Sequence, residues 1–474
     1  MLNYLNRENT VADQNYNRWL IPPAALAIHL AIGQVYALSV FNLPMSKLIG
    51  VSAQVAGDWK LTSIGWIFSI AIVFLGLSAA LFGKWLEREG PRKAMFVSAL
   101  CFSGGFFVSS LGVYLHQIWL VYLGYGVLGG IGLGIGYTSP VSTLVKWFPD
   151  RPGMATGMAI MGFGGGAMIA SPLSVWLMDV FSSANSVGVW QSMLVMGGIY
   201  LVLMMFGVAL VRIPAPGWKP KGFEPKSQAG KMMTSGNVTA DQAVKTPQFW
   251  LLWSVLCLNV TAGIGVLSQA SPMIQEMFPG QVTAQVAAIF VVLLSLFNLL
   301  GRFFWSSFSD VLGRKKVYAI YFGLGMALYA VVPMLGALSS YVWYIAAFCV
   351  IISMYGGGFS TIPAYLRDMF GTFHLGAIHG RLLTAWATAG ILGPVLVNYI
   401  RQIQIDNGVA TAQAYTITMY IMAGLLVVGF VANMMVKPVA EKFLMDESAA
   451  KSVPAETNAS NDVEVGTPKV AVEA

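Results

Sequence analysis

Twelve separate stretches of this chain are each long and apolar enough to cross a lipid bilayer, and no other feature restricts its fold as strongly. They lie near 19–43, 61–83, 94–115, 118–145, 153–178, 188–211, 248–272, 282–308, 317–338, 341–366, 376–400 and 412–436. About 20 mainly apolar residues span the hydrocarbon core as a helix. With no water there to bond the backbone, each N–H and C=O must find its partner inside the protein, so the stretches read as helices. The alternating strands of about ten residues that build a membrane barrel are not seen. Only 10% of the 474 residues are charged, against about 25% in a typical soluble domain. The first eighteen residues are polar and the apolar run behind them has full span length, which predicts a first membrane helix rather than a cleaved leader.

A formal net charge of +7 would suit a nucleic-acid binder, but its placement argues against one. With both termini on the cytoplasmic side, the inner loops hold Lys84, Arg88, Arg92, Lys93, Lys146, Arg151, the basic residues between Arg212 and Lys245, Arg314, Lys315, Lys316, Arg367 and Arg381. The outer loops hold Lys47, Lys60 and Arg401. That asymmetry is the positive-inside pattern and predicts a multi-pass protein of the plasma (inner) membrane with both termini cytoplasmic. The surplus charge then meets anionic membrane lipid, not nucleic acid. Cys101, Cys257 and Cys349 fall inside spans, without metal-ligand spacing, and read as packing residues. No cofactor loop, metal cluster or nucleophile–base pair points to an enzyme.

The expected fold is all-α, with the spans divided into two six-helix halves. A Pro-, Gly- and Lys-rich stretch separates them, giving an N-terminal bundle over 1–211, a cytoplasmic linker over 212–247 and a C-terminal bundle over 248–440. The acidic, apolar-poor segment 441–474 has the composition of a disordered tail. The halves repeat each other. "GKWLEREGPRK" follows span 2 and "SSFSDVLGRKK" follows span 8, displaced by 223 positions, so that Glu87 matches Asp310 and Gly90 matches Gly313. Phe148 to Pro172 and Phe370 to Pro394 match at a displacement of 222. Two independent pairs at nearly one offset indicate a duplicated six-helix unit. In span 4, Gly126, Gly130 and Gly134 recur every fourth residue, a spacing that lets helix backbones approach closely.

One residue in this apolar setting demands a function. Arg302 lies in span 8, eight residues before Asp310, or about 12 Å along a helix. Ser295, Asn298, Arg302, Ser306 and Ser309 follow at spacings of 3 and 4 and so share one face. Charges within a membrane nearly always face a cavity and mark a substrate or ion path. The acidic residues nearest to spans, Asp179, Glu276, Asp310 and Asp368, stand at span ends. The missing counter-ion is therefore expected to be the substrate, a carboxylate held bidentately. His29 is the one histidine at mid-depth of its span, a candidate carrier of a coupled proton.

The loop after span 2 resembles the Gly-x-x-x-Asp-x-x-Gly-Arg-Lys signature of the major facilitator superfamily, with Glu87 in place of Asp, Pro91 in place of the first basic residue and, in the second copy, Ser306 in place of Gly. That resemblance implies twelve transmembrane helices in two pseudo-symmetric bundles, and a gating role for Glu87, Gly90, Arg92, Asp310, Gly313 and Arg314. "IGQVYALSVFNLP" in span 1, Asn298-x-x-x-Arg302 in span 8 and "LLTAWATAGILGP" in span 11 together look like the oxalate:formate antiporter family, close to the monocarboxylate transporters. The resemblance implies that Arg302 holds the carboxylate, Asn298 assists, and Tyr137 and Tyr355 close the site. Trp386 is a candidate apolar wall, with Tyr36 and Gln34 as further polar lining.

Oxalate carriers of this type carry a second cation in span 11. Between Leu382 and Pro394 this chain has no Lys or Arg, and Arg381 sits at the inner mouth. A single buried cation neutralises a single carboxylate and leaves a second unpaired. The expected function is secondary transport of a small monocarboxylate (formate, acetate, lactate or pyruvate class) by a monomer, as anion antiporter or proton symporter. Oxalate or dicarboxylate exchange, efflux of another anion or drug, and carboxylate sensing by a membrane receptor remain open alternatives.

Overall fold

The computed structural model describes residues 2–220, 234, 236–337 and 340–445. The central part of the linker and the proposed tail beyond 445 lie outside the described residues. Twelve helices have the length and composition to cross a membrane: Arg18–Leu38, Ser63–Glu89, Pro91–Tyr114, Ile118–Trp147, Pro152–Phe181, Val189–Leu210, Pro247–Leu267, Ile289–Leu312, Arg314–Gly336, Tyr341–Phe370, Leu375–Asp406 and Thr411–Met435. They are numbered here as spans 1 to 12. Among the described residues no strand forms. Many large apolar side chains stay exposed, Leu81, Val202, Val311 and Trp343 among them, and they form the lipid-facing surface that a soluble protein would bury.

The duplication read from the sequence reappears as matched packing. Span 3 packs on span 6, span 2 on span 4 and span 1 on span 5; in the second half, span 9 packs on 12, span 8 on 10 and span 7 on 11. The two bundles meet along two seams, span 5 against span 8 and span 2 against span 11. Glycine makes these seams close. A Cβ on Gly157 of span 5 would stand 2.2 Å from the Ser306 hydroxyl, and one on Gly380 of span 11 would stand 1.9 Å from the Ala79 carbonyl oxygen of span 2. The spaced glycines of span 4 serve packing as well, since Gly134 abuts Leu75 and Ser78 of span 2.

The face carrying the linker is tied together by polar groups. Gly90 and Gly313 both end a helix with positive φ, +90° and +91°, a conformation that penalises any residue with a Cβ. These matched turns send the chain from span 2 into 3 and from span 8 into 9. Buried Arg92 donates to the carbonyl oxygens of Tyr4, Asn9 and Val211, fastening the N-terminal segment to the end of span 6. The described end of the linker docks on span 10, where Val238 donates to Phe370 O at 2.9 Å and Asn237 Oδ1 accepts from Thr372 and Phe373. On the opposite, far face, Glu276 accepts from Arg401 and Tyr415 and braces the ends of three C-terminal helices.

Three spans are irregular at mid-depth. Span 1 passes from α-helix into a tighter 3-10 stretch over Gly33–Phe41, span 4 contains a wide π-type stretch over Tyr122–Gly129, and span 11 breaks between Leu382 and Thr384. Non-helical backbone inside a membrane protein is tolerated where it is buried against protein or lines a site. Tyr36 lies in the first of these stretches, and Trp386 follows the third.

Candidate functional site

Span 8 places Arg302 where the two bundles meet, with none of its surface exposed. Asn298, one turn earlier, accepts from Arg302 Nε at 3.0 Å and fixes the plane of the guanidinium. Nη1 reaches the Ile160 carbonyl oxygen of span 5, across the seam, at a long 3.4 Å. Phe163 from span 5 and Phe359 from span 10 bring their rings to 5.5 and 5.4 Å from the guanidinium carbon, one from each half. Cation–π contact of this kind offsets part of the cost of burying the charge. Nη2 has no hydrogen-bond partner, and among the described residues no carboxylate pairs with Arg302. With Nε taken by Asn298, the edge formed by Nη1 and Nη2 is the one left for a ligand.

Of the polar stripe of span 8, Asn298, Arg302, Ser306 and Ser309 are all buried, whereas Ser295 is only half-buried and bonds back to its own helix at Val291. Other expected residues converge on the same place. The Tyr36 and Tyr355 hydroxyls bond to each other at 3.1 Å, linking spans 1 and 10 across the halves, and the Tyr36 hydroxyl also interacts with Arg302. Trp386, just past the break in span 11, is buried with ring centroids 5.4 Å from both Tyr137 and Phe163 and 4.5 Å from Phe359. The Tyr137 hydroxyl and Trp386 Nε1 are buried without partners. Buried polar atoms are almost always bonded in native proteins, so three orphaned donors around one spot mark a place built for something else.

Two expected residues are directed elsewhere. Gln34 Oε1 accepts from Tyr125 at 2.7 Å, and Tyr125 packs on Phe106 within the N-terminal bundle. His29 is fully buried, with Nδ1 against the Ala159 carbonyl oxygen and Nε2 at 3.2 Å from the Tyr137 carbonyl oxygen, so it cross-braces spans 1, 4 and 5. Its ring still flanks that of Tyr137 at 5.4 Å.

Below the site, on the linker face, the duplicated acids do matching things. Glu87 of span 2 accepts the backbone N–H of Gly376 at the start of span 11, at 2.9 Å, and Lys146 at 2.7 Å. Asp310 of span 8 accepts the backbone N–H groups of Gly153 and Met154 at the start of span 5, both at 2.8 Å, and Arg314 at 2.6 Å. Each acid thus crosses a seam to a helix N-terminus, where the macrodipole favours negative charge. The two glycine donors are 223 positions apart, the same displacement as the two acids. Arg314 also bonds Asp368 and Ser309, while Arg92 stays within its own half. Asp241 of the linker is shared by Lys84 of span 2 and Arg381 of span 11; those two hydrogen bonds hold its carboxyl down to about 2.

A family model described as Major Facilitator Superfamily matches residues 24–394, from span 1 into span 11. The chain belongs to the major facilitator superfamily. Among superfamily members, the oxalate:formate antiporter of Oxalobacter formigenes is 28% identical over 379 residues, covering 80% of this chain and 83% of that protein. Apicoplast pyruvate carrier 1 of Toxoplasma gondii is 23% identical over 486 residues, covering 84% and 87%. The solved structure of the Escherichia coli fucose:proton symporter FucP superimposes with a TM-score of 0.62 at 15% identity, covering 88% of this chain and 99% of the symporter, a likeness of fold. As a superfamily member, this chain is a multi-pass membrane transporter, and its paired bundles and seam-crossing acids are that fold in detail.

The sequence left five parts of the site unnamed. Phe163 and Phe359 look like any apolar span residue, and the Ile160 carbonyl and the Gly153 and Gly376 amides are backbone groups that residue identity does not advertise. The common offset of 223 could have flagged the two glycines once the acids were matched.

Proposed function

We propose that the chain is a secondary carrier for small monocarboxylates of the formate, acetate, lactate and pyruvate class. It works by alternating access with its linker face in the cytoplasm. The observation that carries this reading is the buried guanidinium: clamped by Asn298, flanked by Phe163 and Phe359, without an acidic partner among the described residues, and with Nη2 unbonded. A carboxylate laid against Nη1 and Nη2 supplies charge and two acceptors at once. Tyr137 and Trp386 offer further donors, and the Tyr36–Tyr355 pair bridges the halves beside the arginine. The relatives named for oxalate and formate exchange and for pyruvate transport agree in handling small carboxylates. No second cation stands between Leu382 and Pro394, which favours one negative charge over two.

The two seam-crossing acids act as latches. With Glu87 on Gly376 and Asp310 on Gly153, the two halves are joined across both seams on the linker face. Release of both lets the halves rock apart there. Gly90 and Gly313 shape the turns beside the latches, Arg314 steadies Asp310, and Arg92 keeps span 3 fixed to its own half.

Uptake of labelled formate, lactate, pyruvate and oxalate into proteoliposomes tests this reading, with and without a pH gradient. Net uptake driven by the gradient marks proton symport; uptake that needs an internal anion marks exchange. Arg302→Lys keeps the charge and loses the fork. Each lost hydrogen bond to a charged group is worth about 1.5–3 kcal/mol, so uptake should fall roughly 100-fold while the protein remains folded. Oxalate preferred over the monoacids, or natural-level uptake by the lysine variant, overturns the assignment.

A further inference from the structure

Among the described residues, His379 is a buried polar side chain that the carboxylate reading leaves unused. It is 1% exposed, and neither ring nitrogen has a partner. A neutral imidazole carries a donor on one nitrogen and an acceptor on the other, so both needs go unmet in a dry setting, a condition native proteins reserve for places where a ligand or water arrives. It stands on span 11, three residues past the latched Gly376 and seven before Trp386. Three residues is about one helical turn, and Trp386 follows just past the break at Leu383, so along the chain His379 stands between the latch and the aromatic wall. Its ring lies 5.8 Å from that of Tyr137, which in turn lies 5.4 Å from Trp386. Trp386 Nε1, the Tyr137 hydroxyl and His379 therefore form a column of unmet polar atoms leading from the site toward the linker face.

The geometry points to His379 as a second holding station for the anion: a carboxylate leaving Arg302 toward the linker face is received by the His379 N–H and the Tyr137 hydroxyl before release. This inference rests on the carboxylate reading. The grip depends on the charge of the ring, because an imidazolium attracts an anion and a neutral ring offers only a hydrogen bond.

The surrounding charges leave the passing anion as the counter-ion. From span 2, Glu87 is engaged by Gly376 and Lys146, and Lys84 by Asp241 of the linker helix. Asp241 is also held by Arg381, two residues along span 11, and His374 accepts from Ala240. From span 10, Arg367 and Asp368 pair with each other, and Tyr355 is bonded to Tyr36. Span 4 brings Tyr137, span 1 brings His29, whose charge would repel an imidazolium, and Glu276 of span 7 pairs with Arg401 on the far face. Opening of the latch would admit water to the ring, relieve the burial that opposes an imidazolium, and let an acidic solution charge it. The station is then stronger when the linker-face solution is acidic.

Right-side-out and inverted membrane vesicles expressing the full chain separate the two faces, with labelled formate and lactate as probes. His379→Gln should raise the half-saturation concentration about tenfold from the linker face and leave the far-face value within twofold. It should also abolish the change in the linker-face value between pH 5.5 and 7.5. Equal effects from both faces, or a pH dependence that survives in the variant, overturn the proposal. His379→Asn repeats the test. If neither variant accumulates as monodisperse folded protein, the ring is a structural element and the proposal falls. Arg302→Lys keeps the two readings apart: full transport by that variant removes the carboxylate site, whereas His379 is judged by asymmetry in an Arg302 background.

Discussion

Replacing Asp310 by Asn removes the charge from one latch and with it the ion pair to Arg314. Both carboxylate oxygens are in use across the seam, Oδ1 on the Gly153 N–H and Oδ2 on the Met154 N–H. An amide keeps one acceptor and turns an NH2 group toward the other donor. One charge-assisted hydrogen bond, worth about 1.5–3 kcal/mol, is lost, and the survivor drops to neutral strength, a further ~1 kcal/mol. The loss of negative charge at the start of span 5 overlaps with these figures and is not added. Arg314 is not orphaned, since Asp368 and Ser309 still hold it. The side chain is only 14% exposed, so solvent screening reduces the figure little. The closed linker face should weaken by about 2.5–4 kcal/mol, which at ~1.4 kcal/mol per tenfold is a roughly 60- to 700-fold shift toward the open form. Double electron–electron resonance between labels at Arg88→Cys and Lys316→Cys, in a background with Cys101, Cys257 and Cys349 replaced by Ala, reads that shift directly. The long-distance population should rise from minor to dominant. A distance distribution identical to that of the Asp310 parent would show that the acid does not govern the seam.

The second seam admits a steric test. Gly380→Ala drives a Cβ onto the Ala79 carbonyl oxygen, and overpacking of this kind costs about 1–3 kcal/mol; the same labels should move toward the long distance, while Gly323→Ala, with nothing within 4 Å, leaves them unchanged. A pH effect is expected where the linker docks. His374 Nδ1 accepts the Ala240 N–H at 3.2 Å, and burial first, with its neighbouring charges contributing, holds its pKa below the ordinary value. A depressed histidine stabilises the docked form fully above about pH 6.5 and loses that contribution as the pH falls below it. The hydrogen-exchange protection factor of Ala240 should therefore drop between pH 7.5 and 5.5, and His374→Gln should flatten the change; an equal drop in the variant refutes the assignment.

Much of this molecule was legible before any coordinates. Hydropathy alone located the spans because lipid forbids unsatisfied backbone, and each of the twelve helices overlaps its expected stretch, with ends displaced by at most seven residues. The spacing of Asn298, Arg302, Ser306 and Ser309 placed them on one face because a helix turns at a fixed pitch, and all four are buried there. Gln34 shows where such reasoning stops. It lies in span 1, inside the 3-10 stretch that begins at Gly33, yet its Oε1 meets Tyr125 rather than the arginine and its Nε2 is buried without a partner.

The sequence by itself determined the number of helices, their duplication and the presence of one costly charge in hydrocarbon, because each follows from local chemistry along the chain. What Arg302 meets was decided only by the docking of the two bundles. Ile160, Phe163 and Phe359 reach it from other spans, Gly153 and Gly376 offer amides that any residue but proline would carry, and His379 comes beside Tyr137 from the opposite half. Contacts between helices depend on the angle and depth at which whole surfaces pack, and that information is spread over many residues at once rather than written at any single position.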